Sequence, residues 1–304
     1  MDTFVTIHIV GPDSSASAEA AAEQAIGRAF GRAFGWFREI EERCTRFDER
    51  SELMKLTAQA GVPVPVSTIL YEAVSFALMV AEESGGAFDP TVGRRMEARG
   101  YNKEYRTGRP VSSAPRPDSD ASYRDISLDP DRRTITLHRP LTLDLGAVAK
   151  GLAVDTAARE LEQFTNFAID AGGDLYLGGS NEHGVPWSVG IRHPRQEHKL
   201  IASLRVSNQA VCTSGDYERR DANGTQHHIL DPRTGASPGG VSSATVASAT
   251  VVASGAMLAD ALATAVFVLG PKEGLQLLNR LGVEGLVVTQ DMECHETRGL
   301  CHAA

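Results

Sequence analysis

Two oxygen-bearing side chains, Asp260 and Thr264, stand four residues apart in the run LADALATAVFVLG. On a helix that spacing puts both on one face, where they can offer two oxygens to a single hard cation. A plain structural reading is equally open: a carboxylate early in a helix is favoured by the dipole, and a threonine hydroxyl can bond back to the preceding turn. A second stretch, HHILDPRTG (227–235), concentrates two imidazoles, a carboxylate and an arginine. His227 or His228 can serve as a general base near neutral pH. Successive residues of an extended segment face opposite ways, so only one of the two can enter a given site. A third stretch is LTLDLGAVAKGLAVD (141–155). It reads as a short buried strand through Leu141, Leu143 and Leu145, a turn at Gly146, and a helix with Val154, Ala157, Ala158, Leu161 and Phe164 at helical spacing. Asp144 closes the strand and Lys150 opens the helix, an arrangement that suits a phosphate-bearing ligand at a helix N-terminus, with Gly146 and Gly151 letting a ligand approach the backbone. It is no Walker A loop, because the lysine precedes its glycine and no Ser or Thr follows. The alternative is that both charges are ordinary caps and surface groups.

Other polar residues carry the same ambiguity. Thr213, Ser214, Asp216, Asp170, Asp174 and Asp231 all sit beside turn signals, and turn formation is their commonest role. In GAFDPTVG (86–93) the Asp-Pro step fixes an extended or turned backbone and holds Phe88 and Asp89 in definite directions. The Gly172–Gly173 pair reads as an interruption of a buried strand, by tight backbone packing or by a flat ligand lying against it.

The elements that must position these groups follow from periodicity and caps. A strand is expected over residues 3–10, closed by a GPDSS turn. A long amphipathic helix is expected from about 18 to 44, through Ala22, Ile26, Ala29, Phe30, Ala33, Phe37 and Ile40. Ser51 and Ser67 are N-cap candidates for two further helices, and VPVPV (62–66) between them is extended because proline bars helix. Residues 107–122, rich in Pro, Ser, Arg and Asp, read as an exposed loop. Strands are expected at 124–128 and 133–138, then across WSVGIRHP, LIASLRVSNQAVCTSG and ATVASATVVA. An Ala-rich buried helix (255–270) and an amphipathic one follow. The architecture expected is one α+β domain over residues 1–304, with mixed β-sheets flanked by helices.

Composition sets the outer bounds. The 304 residues carry a net charge of −9, which argues against a nucleic-acid or anionic-membrane partner, so any phosphate site must be built locally. No uniformly apolar run of about 18 residues suggests a membrane span. MDTFVTIHIV lacks the basic start and apolar core of a signal peptide, so the chain as given is expected to be cytoplasmic, or exported and lipid-anchored if a leader has been removed. The four cysteines are too few for a disulfide scaffold, and the Cys294–His295 and Cys301–His302 pairs match no established zinc spacing.

Taken together, the blocks MDTFVTI, RFDERSEL, GAFDPTVG, LDLGAVAKGLAVD, DAGGDLYLGG, AVCTSGDYERR, HHILDPRTG and LADALATAVFVLG resemble, in that order, the ApbE family of FAD-dependent protein flavinyltransferases. The resemblance runs nearly end to end. It implies an enzyme that takes FAD and Mg²⁺, transfers FMN through a phosphoester to a Thr or Ser hydroxyl of an acceptor protein, and releases AMP. It implies Asp260 and Thr264 as metal ligands, joined by carbonyls around Ala147 and Met257. It places Met1, Phe47, Ala87, Phe88, Asp89, Asp144, Lys150 and Ile229 at the FAD site, with Phe47 and Phe88 suited to a flat ring. His228 matches the histidine proposed to deprotonate the acceptor hydroxyl. The central block has Gly-Ala-Val where the family more often has Gly-Gly-Ile, and RRMEARGYN lacks the family's usual apolar and tryptophan residues. Most bacterial members are exported lipoproteins. A metal-dependent FAD pyrophosphatase and a non-catalytic FAD binder are the competing readings.

Overall fold

Helical spacing of Ala29, Ala33, Phe37 and Ile40 buries one stripe of α1 (Glu19–Cys44) while its polar face stays wet. The computed structural model describes residues 3–11, 19–103, 108–111, 121–218, 227–238 and 245–303. Met1, all of the GPDSS turn but Gly11, and most of the 107–122 loop lie outside them. Ser51 and Ser67 do cap: each hydroxyl accepts from the backbone N–H three residues on, opening α2 (Glu52–Thr57) and α3 (Thr68–Glu83). A short α4 (Gly93–Ala98), not read from the sequence, follows GAFDPTVG. The remaining helices are α5 (Gly146–Leu161) and α6 (Ala256–Leu281). Gly270, at φ 86° and ψ 175°, breaks α6 just before Pro271, so the two helices expected there are joined at a kink.

Seven strands form the main sheet in the order β1 (Val5–Ile9), β5 (Phe167–Ala171), β6 (Leu175–Gly178), β9 (Gln209–Gly215), β10 (Val246–Ala253), β11 (Glu284–Thr289), β12 (Cys294–Glu296). A three-stranded sheet is ordered β2 (Pro63–Pro65), β4 (Thr134–Leu137), β3 (Ile126–Asp129), and β7 (Trp187–Arg192) pairs with β8 (Leu200–Val206). The named ladders are all antiparallel. Every residue of β10 is buried, because α6 covers one face of the sheet and β7–β8 covers the other. Its Ala/Val run therefore reads as continuous rather than alternating. The expected α+β arrangement of several sheets flanked by helices is what is observed.

Two local readings change. Residues 141–145 are buried apart from the half-buried Asp144 but form no strand: only Thr142 bridges, in parallel, to Val92. Gly172 and Gly173, at φ 68° and 95°, are the central residues of a tight β5–β6 hairpin closed by Ala171 N–H donating to the Asp174 carbonyl. Positive φ at both positions is what this class of turn requires, and glycine supplies it without strain. In the Cys-His tail, Cys294 and His295 pair with β11, and His302 Nε2 lies 2.8 Å from Glu296. Among the described residues, α6 alone is long and apolar enough to cross a membrane by length and composition. Ala259, Leu262, Val266 and Phe267 nonetheless pack it into the core.

Candidate active site

The centre of the site is a helix crossing made possible by one missing side chain. Gly151 lies on α5 against the start of α6, and a Cβ there would sit 2.5 Å from the Ala256 carbonyl oxygen and the Met257 nitrogen, so this glycine makes room for α6 and not, as the sequence suggested, for a ligand. One turn further, Asp155 caps α6, accepting from Ala256 N–H at 2.6 Å and Met257 N–H at 3.0 Å. This crossing brings Lys150 to Asp260. The hairpin turn brings Asp174, 2% exposed, to the same ammonium. Lys150 Nζ contacts Asp174 Oδ2 directly and lies 3.9 Å from Asp260 Oδ2. Burial pulls the Lys150 pKa down, but Asp260 and Asp174 more than reverse this, so it is raised and the ammonium stays charged. Cys212 of β9 is fully buried beside them, its thiol 3.6 Å from the Ala256 carbonyl. Burial, then the two carboxylates, push its pKa well above the usual thiol range, so it is a wall of the site and not a nucleophile.

Thr264 stands one turn beyond Asp260, its hydroxyl 3.2 Å from Ser214 Oγ. The buried Asp260 carboxylate and the Thr264 hydroxyl are hard oxygen donors and suit a small divalent cation such as Mg²⁺. Among the described residues no group of three or more His, Cys, Asp and Glu forms a full cage. That is also how Mg²⁺ sites are built, with waters and phosphates completing the shell. Ala147 and Met257 fall in the first turns of α5 and α6, where the helix ladder takes one lone pair of each carbonyl and leaves the other.

Asp144 and Phe47 are joined by a residue that sequence reasoning missed. Arg46, 5% exposed, donates from Nε to Asp144 Oδ2 at 2.6 Å and from Nη2 to the Tyr101 carbonyl at 2.6 Å. Its guanidinium lies 4.2 Å from the Phe47 ring centroid. The other Asp144 oxygen accepts from Gly146 N–H at 2.8 Å, fixing the entry to α5. Asp144 N–H donates to the Pro90 carbonyl at 2.7 Å, which ties GAFDPTVG to the start of α5.

Within that loop Ala87 and Phe88 are buried in the main core. The Phe88 ring, 5% exposed, therefore offers no stacking face, while Phe47 is half-buried. Asp89 accepts from Thr91 N–H at 2.8 Å, Thr91 Oγ1 at 2.7 Å and Tyr123 N–H at 3.1 Å. Burial raises its pKa and these bonds only partly restore it. It borders a 320 Å³ cleft with Gly86, Arg95, Tyr123, Arg124 and Arg233.

The histidine pair divides as expected of adjacent residues. His227 is buried against Phe267, ring centroids 5.3 Å apart and nearly perpendicular. His228 is half-buried, with Nδ1 3.2 Å from the Glu218 carbonyl. Ile229 is buried in the core. Two arginines at α4 hold this loop by its backbone: Arg95 donates to the Pro232 carbonyl, and Arg99 to the His227 carbonyl and the Ser237 hydroxyl. Their only sequence signal was a cluster of arginines after GAFDPTVG.

A loop-bound carboxylate, a lysine at a helix crossing and a hard-oxygen face on the crossing helix are groups that could hold a phosphate and a small divalent cation on this α+β scaffold. The ApbE family model matches residues 1–287, and the chain belongs to that family. It is 29% identical over 273 residues to the FAD:protein FMN transferase of Haemophilus influenzae, covering 84% of this chain and 77% of that protein. It is 33% identical over 282 residues to the protein of the same name from Treponema pallidum, covering 82% and 74%. The ApbE protein of Thermotoga maritima superposes with a TM-score of 0.79 at 27% identity, covering 98% of this chain and 97% of that one. The flavin transferase ApbE from Vibrio cholerae gives 0.78 at 25% identity, covering 98% and 94%.

Proposed function

We propose that this chain is an FAD:protein FMN transferase that uses Mg²⁺ and attaches FMN through a phosphoester to a Ser or Thr hydroxyl of an acceptor protein. The observation that carries the metal and phosphate part of this reading is the half-buried Lys150 set between the buried carboxylates of Asp174 and Asp260 at the α5–α6 crossing. In the reaction the acceptor oxygen bonds to the FMN phosphorus, the pyrophosphate bridge oxygen leaves with AMP, and the hydroxyl proton passes to a base. His228 is the base in this reading, since a threonine hydroxyl is a poor nucleophile without one. Lys150 supplies fixed positive charge toward the pyrophosphate. Asp260 and Thr264, with carbonyls of Ala147 and Met257, hold the cation. Mg²⁺, when bound, acts as Lewis acid and template for the breaking bridge. Arg46 holds Asp144 and flanks Phe47, and so shapes the flavin side.

The test is incubation of the protein with FAD, Mg²⁺ and a Thr-containing acceptor, reading AMP release and intact acceptor mass together. A mass gain equal to FMN with matching AMP is expected, and Asp260→Ala is expected to lower both by ~10²-fold or more. Unchanged turnover in Asp260→Ala would remove the metal assignment. AMP with free FMN and no labelled acceptor would replace the transferase by a pyrophosphatase, and FAD left intact would leave a binder.

A further inference from the structure

We infer that Asp174 is a positioning residue for Lys150, holding the ammonium off Asp260 so that Asp260 can take the cation. The inference rests on the metal reading above. Lys150 lies between two buried carboxylates, and it contacts the one on the hairpin while standing 3.9 Å from the one on α6. A flexible four-carbon stem would otherwise let the ammonium close on Asp260, the carboxylate of the helix it crosses. In a dry site that direct pair would be strong, and it would occupy the oxygens a divalent ion needs. Asp174 is well fitted to prevent this. It is 2% exposed, and it follows the Gly172–Gly173 turn, whose Gly173 N–H also donates to Asp170 Oδ1 at 2.8 Å. The carboxylate is thus delivered from a rigid hairpin and not from a loop. Cys212, fully buried beside the two carboxylates, adds no competing positive charge.

The arrangement has a consequence that a merely structural ion pair lacks. Without Asp174 the lysine becomes a competitor for the metal's own ligand. Without Lys150, Asp174 has nothing to hold.

The test is the Mg²⁺ dissociation constant of the FAD-free protein, measured by calorimetry and by Mg²⁺-dependent thermal shift, for wild type, D174N, K150M and K150M/D174N. D174N is expected to weaken Mg²⁺ about tenfold, the usual scale for a residue that orients a metal's surroundings. K150M/D174N is expected to match K150M within about twofold, the scatter of uncoupled sites. An equal loss from D174N in both backgrounds would make Asp174 a direct ligand or a simple field charge and overturn the inference. Unchanged binding in D174N would overturn it as well. If D174N does not fold, D174S takes its place in both backgrounds, with the same expected and overturning results. A wild type with no Mg²⁺ response overturns the metal reading and this inference with it, whereas a responsive wild type matched by D174N overturns the inference alone.

Discussion

Gly151→Ala sets two effects of opposite sign against each other. Helix propensity alone favours alanine by about 1 kcal/mol in a helix interior, which would stabilise α5. The added methyl, however, would lie 2.5 Å from the Ala256 carbonyl oxygen and from the Met257 nitrogen and Cα. Ordinary contact begins near ~3.5 Å, so the helices must separate by roughly 1 Å. Backbone atoms cannot yield by changing rotamer, and Asp155 fixes two of the N–H groups at this end of α6. Overpacking of this kind costs about 1–3 kcal/mol, and the contact with main chain puts it at the upper end. Set against the propensity gain, a net loss of about 2 kcal/mol is expected, or a fall in Tm of about 3 °C for a chain of this size. Thermal unfolding followed by circular dichroism without Mg²⁺ measures it. A variant as stable as wild type, or more stable, would show that the crossing is loose and that Gly151 is no spacer.

Asp89 makes a pH-dependent prediction. Burial raises its pKa, so the folded state favours the protonated form relative to the unfolded chain. The stability this contributes is present below the ordinary carboxylate range, about pH 4, and is lost as pH rises through the raised value. Urea unfolding from pH 4 to pH 7 is therefore expected to show wild type losing stability relative to D89N as pH rises; a difference that grows in favour of wild type would contradict the burial argument. The cysteines should sort by exposure. Burial pushes the Cys44 thiol up to about 12 and Cys212 is fully buried, whereas Cys294 and Cys301 are exposed. Iodoacetamide at pH 8 is expected to add two adducts to the native protein and four in urea, read by intact mass; a third native adduct would place Cys44 or Cys212 within reach of solvent.

The parts of this molecule that the sequence made legible are those decided by near neighbours. Ser51 and Ser67 were readable as caps because the bond they make closes within three residues, and Asp260 and Thr264 were readable as a pair because one helical turn joins them. Leu141, Leu143 and Leu145 misled for a related reason: alternation reports that one side is buried, not that a ladder partner exists, and here only Thr142 finds one. The Gly172–Gly173 turn was seen as an interruption because its effect, the return of β6 along β5, depends on φ at two residues and not on their neighbours' polarity. The cluster of Lys150, Asp174 and Asp260 lay further out of reach, since α5, the β5–β6 hairpin and α6 each supply one charge and no local pattern links them. Yet the helix interior carried a trace of the crossing. A glycine in mid-helix costs about 1 kcal/mol relative to alanine, and Gly151 keeps that cost next to the one lysine in the helix. Close approach of a second backbone is the physical compensation, and the 2.5 Å contact with Ala256 and Met257 is where that approach occurs. The glycine beside Lys150 was thus the local sign of a long-range contact, and the group brought to the lysine by that contact is Asp260.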